Sequence, residues 1–278
     1  MGDHDQGAKP ARGAEPIDAI VLAGSPNTGK LKEASPAAYE AFIEIAGRPM
    51  VDYVVQTLLA CPSIGRIAIA GPQEELGRLY RDRAGSHRLI LAPGGETLAQ
   101  TGINAIEALQ PKGLVLAATS DIPLLTPPAV EDFISQCQKL RRQMQGNLFY
   151  AVVPREDNEA LYPGVKRTYV NLRGLTVTGG NIFLLDPEII PRALAAGEEL
   201  IALRKEPFKM AQKVGIGFII KFILRLASLQ EAEQKFSGLL GVRGRAVISH
   251  YPEIGIDVDK PSDLELAIKA LAQPSSTP

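Results

Sequence analysis

The chain contains little cysteine and has no excess of charge of either sign. Its 30 lysines and arginines are balanced by 31 aspartates and glutamates, so the overall field gives no reason to expect a nucleic-acid partner. The two cysteines, Cys61 and Cys137, lie far apart in sequence, and neither belongs to a CxxC pair. This pattern predicts buried, reduced cysteines in a reducing compartment, and we expect a cytoplasmic protein.

The sequence also has no long uninterrupted apolar run, and its first residues do not predict a leader peptide. Residues 1–5 are polar, which predicts no signal peptide. Residues 214–229 are strongly apolar, but the run is short for a membrane span, and Lys221 and Arg225 interrupt it. We expect a largely buried helix here. Three alternatives stay open, namely a helix on a membrane surface, the wall of a pocket for an apolar substrate, and a homodimer contact.

Signatures of nucleophilic catalysis are missing as well. The chain has no GxSxG and no HExxH sequence, and its three histidines are His4, His87 and His250. His4 lies in the polar amino-terminal stretch, and the other two flank predicted strands. The sequence therefore gives no nucleophile and base to propose.

Apolar runs typical of strands alternate with helical patterns in the first half of the chain. The predicted strands are residues 17–23, 66–70, 88–92, 114–118 and 148–153, and the predicted helices are 49–60, 74–83, 98–109 and 127–141. This βαβα succession predicts a three-layer α/β/α fold around a mostly parallel sheet.

The pattern changes after residue 154. We predict strands at 165–172, 181–185, 246–249 and 254–258, and a helical stretch at 187–240 with breaks at Gly197, Pro207 and Gly215. A closing helix at 262–272 would have Ser262 as its N-cap. We therefore expect one domain over 16–272 with a helical insertion at about 187–240, and disordered tails at 1–15 and 273–278.

The first predicted strand leads into a loop of small residues, Gly24-Ser25-Pro26-Asn27-Thr28-Gly29-Lys30. Such a loop places backbone N–H groups at the carboxyl edge of the sheet, where open α/β sheets bind their ligands. Successive N–H groups can form a concave anion site, and the lysine adds positive charge. The loop predicts a phosphate or nucleotide site, with a ligand-free βα turn as the alternative.

An aspartate follows another buried strand at the same predicted edge. Asp121 comes three residues after the end of the predicted 114–118 strand, and a carboxylate beside a phosphate site requires a cation between them, usually Mg²⁺. Asp257 and Asp259 would share one face of the 254–258 strand, so either could complete the magnesium site. A turn or helix cap is the alternative for Asp121, and a solvated strand end for the other two.

Five motifs in this order resemble one family of enzymes. They are LAGSPNTGK (22–30), AGRPMVDYVV (46–55), ATSDIPLLTP (118–127), TGGN (178–181) and IDVDKPSDL (256–264). Together they are similar to the nucleotidyltransferases of the molybdenum-cofactor guanylyltransferase (MobA-like) type and the wider sugar-nucleotide pyrophosphorylase group. The resemblance implies a GT-A-like, Rossmann-like fold. It also implies Mg²⁺-dependent transfer of NMP from an NTP to a small phosphorylated acceptor, with release of pyrophosphate.

The resemblance assigns roles by matched position. It implies Lys30, Asp121 and Asp257 as catalytic residues, and Asp121, Asp257 and Asp259 as metal ligands. The implied nucleotide-binding residues are Leu22, Ala23, Gly24, Ser25, Lys30, Gly94, Gly95, Thr97, Thr101 and Ser120. The implied acceptor-binding residues are Arg167, Thr178, Gly179, Gly180 and Asn181.

One position departs from the family pattern. Many relatives carry a phosphate-contacting lysine shortly before the Gly-x-Pro step, and this chain has Glu40 there. Lys30 or Lys32 could substitute for that lysine, the substrate could differ, or activity could be lost. A non-catalytic nucleotide or sugar-nucleotide binding protein is therefore an alternative. A GT-A glycosyltransferase that uses Asp257 and Asp259 as its acidic pair is another.

Overall fold

The computed structural model describes residues 15–81, 87–193, 196 and 213–272. Except for Glu15, the two predicted tails lie outside the described residues, as do Gly197 and Pro207 in the predicted helical insertion. The division into one domain with an insertion stays a prediction.

The secondary structure follows the predicted alternation closely up to residue 154. The strands are β1 Ile17–Leu22, β2 Glu44–Ile45, β3 Arg48–Pro49, β4 Ile64–Gly71, β5 Leu89–Pro93, β6 Val115–Thr119, β7 Leu148–Pro154, β8 Val170–Leu172, β9 Leu175–Leu185 and β10 Gly244–Ile248. The helices are α1 Met50–Ala60, α2 Gln73–Tyr80, α3 Leu98–Leu109, α4 Pro127–Gln143, α5 Arg155–Leu161, α6 Ile216–Ile223, α7 Leu229–Leu240 and α8 Pro261–Ala272.

The main sheet has eight strands in a mostly parallel, mixed arrangement. Seven of them follow the order β10-β7-β9-β6-β1-β4-β5, and β8 pairs with β9. β1 runs parallel to β4 and β6, whereas β9 runs antiparallel to β6 and β7. The carboxyl ends of β1, β4, β5, β6 and β7 therefore lie along one edge of the sheet. The predicted α/β fold class is confirmed.

Helices cover both faces of the sheet because alternate strand residues point to opposite sides. Val21, Ile69 and Leu116 pack on one face with apolar residues of α1 and α4. Ile20 and Ala68 pack on the other face with residues of α3. β1 is buried on both faces, which explains its unbroken apolar sequence.

Two predicted strands were wrong in extent or type. Only Val170–Leu172 of the 165–172 segment is a strand. The 254–258 segment is not a strand, because Pro252–Gly255 forms a 3-10 turn and an irregular stretch follows it. The place between β6 and β7 is taken by β9, which pairs with both, so this segment does not join the sheet there.

Other element boundaries also differ from the prediction. β9 extends the predicted 181–185 strand back to Leu175, through the Gly179-Gly180 pair that weakens a strand signal. The short helix α5 was missed. α8 begins at Pro261, so Ser262 lies in its first turn and does not cap it.

The 214–229 segment differs most from its prediction. Its helix α6 covers only Ile216–Ile223, and none of its residues is buried. The expected buried helix was therefore wrong. Only the underside of the segment packs, where Phe218 and Ala227 meet a small cluster with Leu172 and Ala232. Among the described residues, no helix has the length and apolar character needed to cross a membrane.

Candidate active site

Three glycines allow the carboxyl ends of β1, β4 and β5 to approach closely. The Gly94 N–H donates to the Gly71 carbonyl at 2.9 Å. A Cβ atom on Gly71 would lie 2.7 Å from the Ala23 carbonyl oxygen, and one on Gly24 would lie 3.2 Å from Thr101 Oγ1. The loop after β1 therefore lies directly against the loop after β5. Sequence reasoning missed Gly71, whose signal is a glycine at the end of an apolar strand.

The loop from Gly94 to Thr101 is shaped by its own threonines. Thr97 caps α3, because its hydroxyl accepts from the Gln100 N–H at 3.1 Å. Thr101 is buried, and its hydroxyl accepts from the Gly95 N–H at 2.9 Å and donates to the Thr97 carbonyl at 3.0 Å. The two hydroxyls therefore fix the shape of the loop that the resemblance associates with the base and ribose.

The loop after β1 is held by the segment that follows it. The Asn27 N–H donates to the Ala38 carbonyl at 2.8 Å, and the buried Asn27 amide donates to the carbonyls of Ser35 and Ala37. The Thr28 N–H donates to the Pro26 carbonyl. Because the N–H groups of Asn27 and Thr28 are used internally, the middle of this loop offers no backbone donor to an anion.

Glu40 lies beside the same loop. Its carboxyl oxygen is 3.9 Å from the position that a Cβ atom on Gly29 would take, and Lys30, which is exposed, follows Gly29 at the start of a 3-10 turn. Burial, and then the charge of Asp259, raise the pKa of Glu40. Glu40 therefore lies within electrostatic range of Asp259, which belongs to the cluster described next.

Asp121, Asp257 and Asp259 form a carboxylate cluster at this edge of the sheet. Each offers an oxygen, and these three oxygens lie within 4.8 Å of one another. The Val258 N–H donates to the Asp121 carbonyl at 2.9 Å, which fixes the 256–259 segment against the turn after β6. Ile256 and Val258 are buried and alternate with Asp257 and Asp259, so these apolar residues anchor the segment although it is not a strand.

Repulsion within the cluster is offset by only a few contacts. The Thr119 hydroxyl donates to Asp121, and Arg167 forms an ion pair with Asp257. Desolvation by burial, and then the charges of Asp257 and Asp259, raise the pKa of Asp121 to about 7. Burial and Asp257 also raise the pKa of Asp259. Three carboxylates facing one guanidinium leave an excess of negative oxygen donors, which fits a hard divalent cation such as Mg²⁺.

Arg167 is therefore placed differently from its neighbour Lys166. Lys166 is exposed, whereas the Arg167 side chain is only 13% exposed and contacts the cluster. Its Nε atom is buried without a hydrogen-bond partner. Arg167 is therefore part of the cluster and not a solvated surface residue.

The residues expected to bind the acceptor lie on β9, next to residues 254–255, which precede Asp257 and Asp259 of the cluster. Gly179 pairs with Val152 near the carboxyl end of β7, and its carbonyl oxygen is 3.3 Å from the position of a Cβ atom on Gly255. Thr178 is buried, and a Cβ atom on Gly180 would collide with Ile254 at 2.7 Å. Gly180 therefore serves close packing, whereas Gly179 is exposed.

Comparison with known proteins shows which family the chain is similar to. The sequence model described as the MobA-like NTP transferase domain matches residues 19–206. The chain is 25% identical over 240 residues to a 3-deoxy-manno-octulosonate cytidylyltransferase of Anaeromyxobacter sp. (strain K), covering 82% of this chain and 89% of that protein.

Solved structures show the same fold. A hypothetical transferase from Thermus thermophilus is 34% identical, with a TM-score of 0.74 over 90% of this chain and 99% of that one. A CMP:2-keto-3-deoxy-manno-octonic acid synthetase complexed with CTP is 14% identical, with a TM-score of 0.55 over 94% and 99% of the two chains. A 4-diphosphocytidyl-2C-methyl-D-erythritol synthase from Anaerococcus prevotii DSM 20548 is 13% identical, with a TM-score of 0.56 over 93% and 97%. Since the family model covers more than half of the chain, the protein belongs to the MobA-like NTP transferase family of the nucleotidyltransferase superfamily.

Proposed function

We propose that the protein is a Mg²⁺-dependent nucleotidyltransferase. It would transfer NMP from an NTP to a small phosphorylated acceptor and release pyrophosphate. The observation that carries the proposal is the cluster of Asp121, Asp257 and Asp259, which faces the same sheet edge as the Gly24 and Gly94 loops. Nucleotidyl transfer depends on positioning and charge neutralisation, and it needs no protein nucleophile.

Each group of residues has a separate task in this proposal. Asp121 and Asp257 would hold Mg²⁺, with Asp259 as a further ligand, and the bound ion supplies positive charge near phosphate oxygens. Gly24 and Ser25 would offer backbone N–H groups to the triphosphate, and Lys30 would add charge. Gly94, Gly95, Thr97 and Thr101 would shape the base and ribose site, together with Leu22, Ala23 and Ser120.

The acceptor would approach from the β9 side. Thr178, Gly179, Gly180 and Asn181 would line its site, and Arg167 would contact its anionic group. The acceptor oxygen would attack the α-phosphorus as the bond to the pyrophosphate leaving group breaks. CTP is the first nucleotide to test, because the relatives named above include cytidylyltransferases.

The test is a pyrophosphate-release assay with each NTP, Mg²⁺ and a panel of sugar and polyol phosphates. We expect release with at least one combination, and loss of several orders of magnitude in turnover for Asp121→Asn. Asp132→Asn is the matched control, because it makes the same change on α4, where Asp132 accepts a hydrogen bond from Gln136 of the same helix. Full activity in Asp121→Asn would contradict the proposal.

Glu40 favours a second candidate function, a nucleotide-binding protein without turnover. An ionised carboxylate at the usual lysine position repels phosphate, although burial, and then the charge of Asp259, raise the pKa of Glu40 and favour its neutral form. Binding of an NTP without pyrophosphate release in any combination would support this candidate. Glu40→Lys separates the two candidate functions. Turnover that appears only in this variant would mean that the glutamate at position 40 prevents catalysis in the unaltered protein.

A further inference from the structure

The segment 220–226 exposes a contiguous apolar surface. Every one of its seven residues is exposed, and five of them are large and apolar. Ile223 is 70% exposed and Leu224 is 59% exposed. Single exposed apolar side chains are common, but a contiguous patch of this kind marks an interaction surface.

This surface is an ordered part of the fold. The Leu224 N–H donates to the Ile220 carbonyl at 3.0 Å, and the Leu226 N–H donates to the Lys221 carbonyl at 2.8 Å. On the underside, Ala227 is buried and its carbonyl accepts from the Arg173 N–H at 2.8 Å. The side chains thus point outward from an anchored turn, so the exposed surface is available for docking.

The charges of the segment narrow the kind of partner. Residues 213–226 contain three cations and no carboxylate, and the cations Lys221 and Arg225 lie between the exposed apolar residues. Lys221 is paired with Glu231, whereas Arg225 is exposed beyond the end of α6. An anionic lipid surface accepts both the apolar side chains and the cations.

The position of the segment connects it to the candidate active site. Val177 of β9 pairs with Pro154 at the carboxyl end of β7 and with Val170 of β8, so the β8–β9 hairpin projects from that edge. The segment is attached to this hairpin through the contact of Ala227 with Arg173. It therefore lies on the same edge of the sheet as the carboxylate cluster.

We propose that residues 216–226 dock the protein on the surface of an anionic lipid bilayer. The apolar side chains of Ile220, Ile223 and Leu224 enter the boundary between headgroups and acyl chains, and Arg225 contacts a lipid phosphate. The segment lies in the interface and does not cross the bilayer. The docking needs no catalytic step, so it holds or fails separately from nucleotidyl transfer.

Co-sedimentation with vesicles tests the proposal. The full chain is mixed with phosphatidylcholine vesicles, or with vesicles that also contain phosphatidylglycerol, at low and high salt. We expect binding to the anionic vesicles that is about fivefold stronger than to the neutral ones and that weakens with salt, since one basic residue contributes about 1 kcal/mol near such a surface. Absence of binding to anionic vesicles overturns the proposal.

Point variants locate the contact. Ile223→Glu is expected to lose vesicle binding, and Arg225→Gln to reduce the preference for anionic vesicles. Ile268→Glu is the matched control, because it makes the same change at an exposed position on α8. Unchanged binding in Ile223→Glu overturns the proposal. So does a vesicle-independent dimer, measured by sedimentation velocity, that dissociates in this variant, because the surface would then bind a second copy.

Discussion

Arg167 is held at the carboxylate cluster by its ion pair with Asp257, and its side chain is largely removed from solvent. A guanidinium at this position offsets part of the repulsion among the three aspartates. It also occupies an oxygen that a divalent cation would use. The same residue therefore competes with the proposed metal and is the candidate contact for the acceptor's anionic group.

Arg167→Met is expected to bind Mn²⁺, used as a probe for Mg²⁺, about tenfold more tightly in the absence of substrate, which is about 1.4 kcal/mol. The physical reason is that the variant removes a cation that competes for Asp257. Electron paramagnetic resonance of free Mn²⁺ measures the affinity. Lys166→Met is the control, because Lys166 is exposed, and a lower affinity in Arg167→Met would show that Arg167 does not compete with the ion.

The two cysteines illustrate residues whose environment was predicted correctly from the sequence. Both are buried and free, and burial, then the charge of Glu131, raise the pKa of Cys61 to about 12. Burial likewise raises the pKa of Cys137. Their spacing and the absence of CxxC pairs were sufficient, because an isolated cysteine behaves as a small apolar residue.

We therefore expect neither thiol of the native protein to react with Ellman's reagent at pH 8 on the time scale of a free thiol. The thiolate is the reactive form, and a pKa of about 12 leaves on the order of 10⁻⁴ of Cys61 ionised at that pH. Both thiols should react once guanidinium chloride unfolds the chain. A rapidly titrating equivalent in the native protein would contradict the burial of these side chains.

At the scale of elements, a segment's structure was predicted correctly where it is determined by residues nearby in the sequence. β1, α3 and the start of α4 were predictable, because their apolar periodicity and the proline at the start of α4 are sequence-local signals. The 254–258 segment was not, because its state depends on β9 filling the position beside β6. Asp257 and Asp259 nevertheless converge on Asp121, since buried alternate residues orient them as a strand would.

The glycines at the strand ends were equally hard to predict. Gly24 drew attention through its loop, but Gly71 is important because β4 ends against β1, which is a contact between distant residues. The sequence alone does not show that these residues lie close together in space. A buried glycine at the end of an apolar strand is the available signal, and it shows only that a close approach is expected.

Gly71→Ala is expected to lower the free energy of unfolding by about 1–3 kcal/mol, because its Cβ would lie 2.7 Å from the Ala23 carbonyl and force the strands apart. Gly77→Ala is the matched control within α2, where an added Cβ meets nothing within 4 Å. That variant should be more stable by about 0.4–1 kcal/mol. Urea unfolding followed by circular dichroism measures both, and equal effects of the two substitutions would refute the close-approach argument.

At the scale of the whole molecule, the carboxylate cluster lowers the stability of the ligand-free protein while it serves the proposed function. The chain is close to neutral overall, yet three aspartates are held together at one edge where burial and repulsion raise the pKa of Asp121. Such arrangements cost stability in the ligand-free protein and are typical of functional sites. Binding of a cation to the folded state returns stability through mass action.

Asp121→Asn should therefore raise the melting temperature of the metal-free protein and abolish its stabilisation by Mg²⁺ with an NTP. Relief of about 1–2 kcal/mol of repulsion corresponds to a gain of about 3–6 °C for a chain of this size. In the unaltered protein, Mg²⁺ and nucleotide at about a hundred times their dissociation constant should add about 2.7 kcal/mol. Scanning calorimetry at a fixed pH with and without EDTA measures these shifts. Asp132→Asn, which makes the same change outside the cluster, should retain the ligand-induced shift and show no rise in melting temperature without metal. A lower melting temperature of metal-free Asp121→Asn would mean that Asp121 stabilises the fold and is not destabilised by repulsion from the other two aspartates.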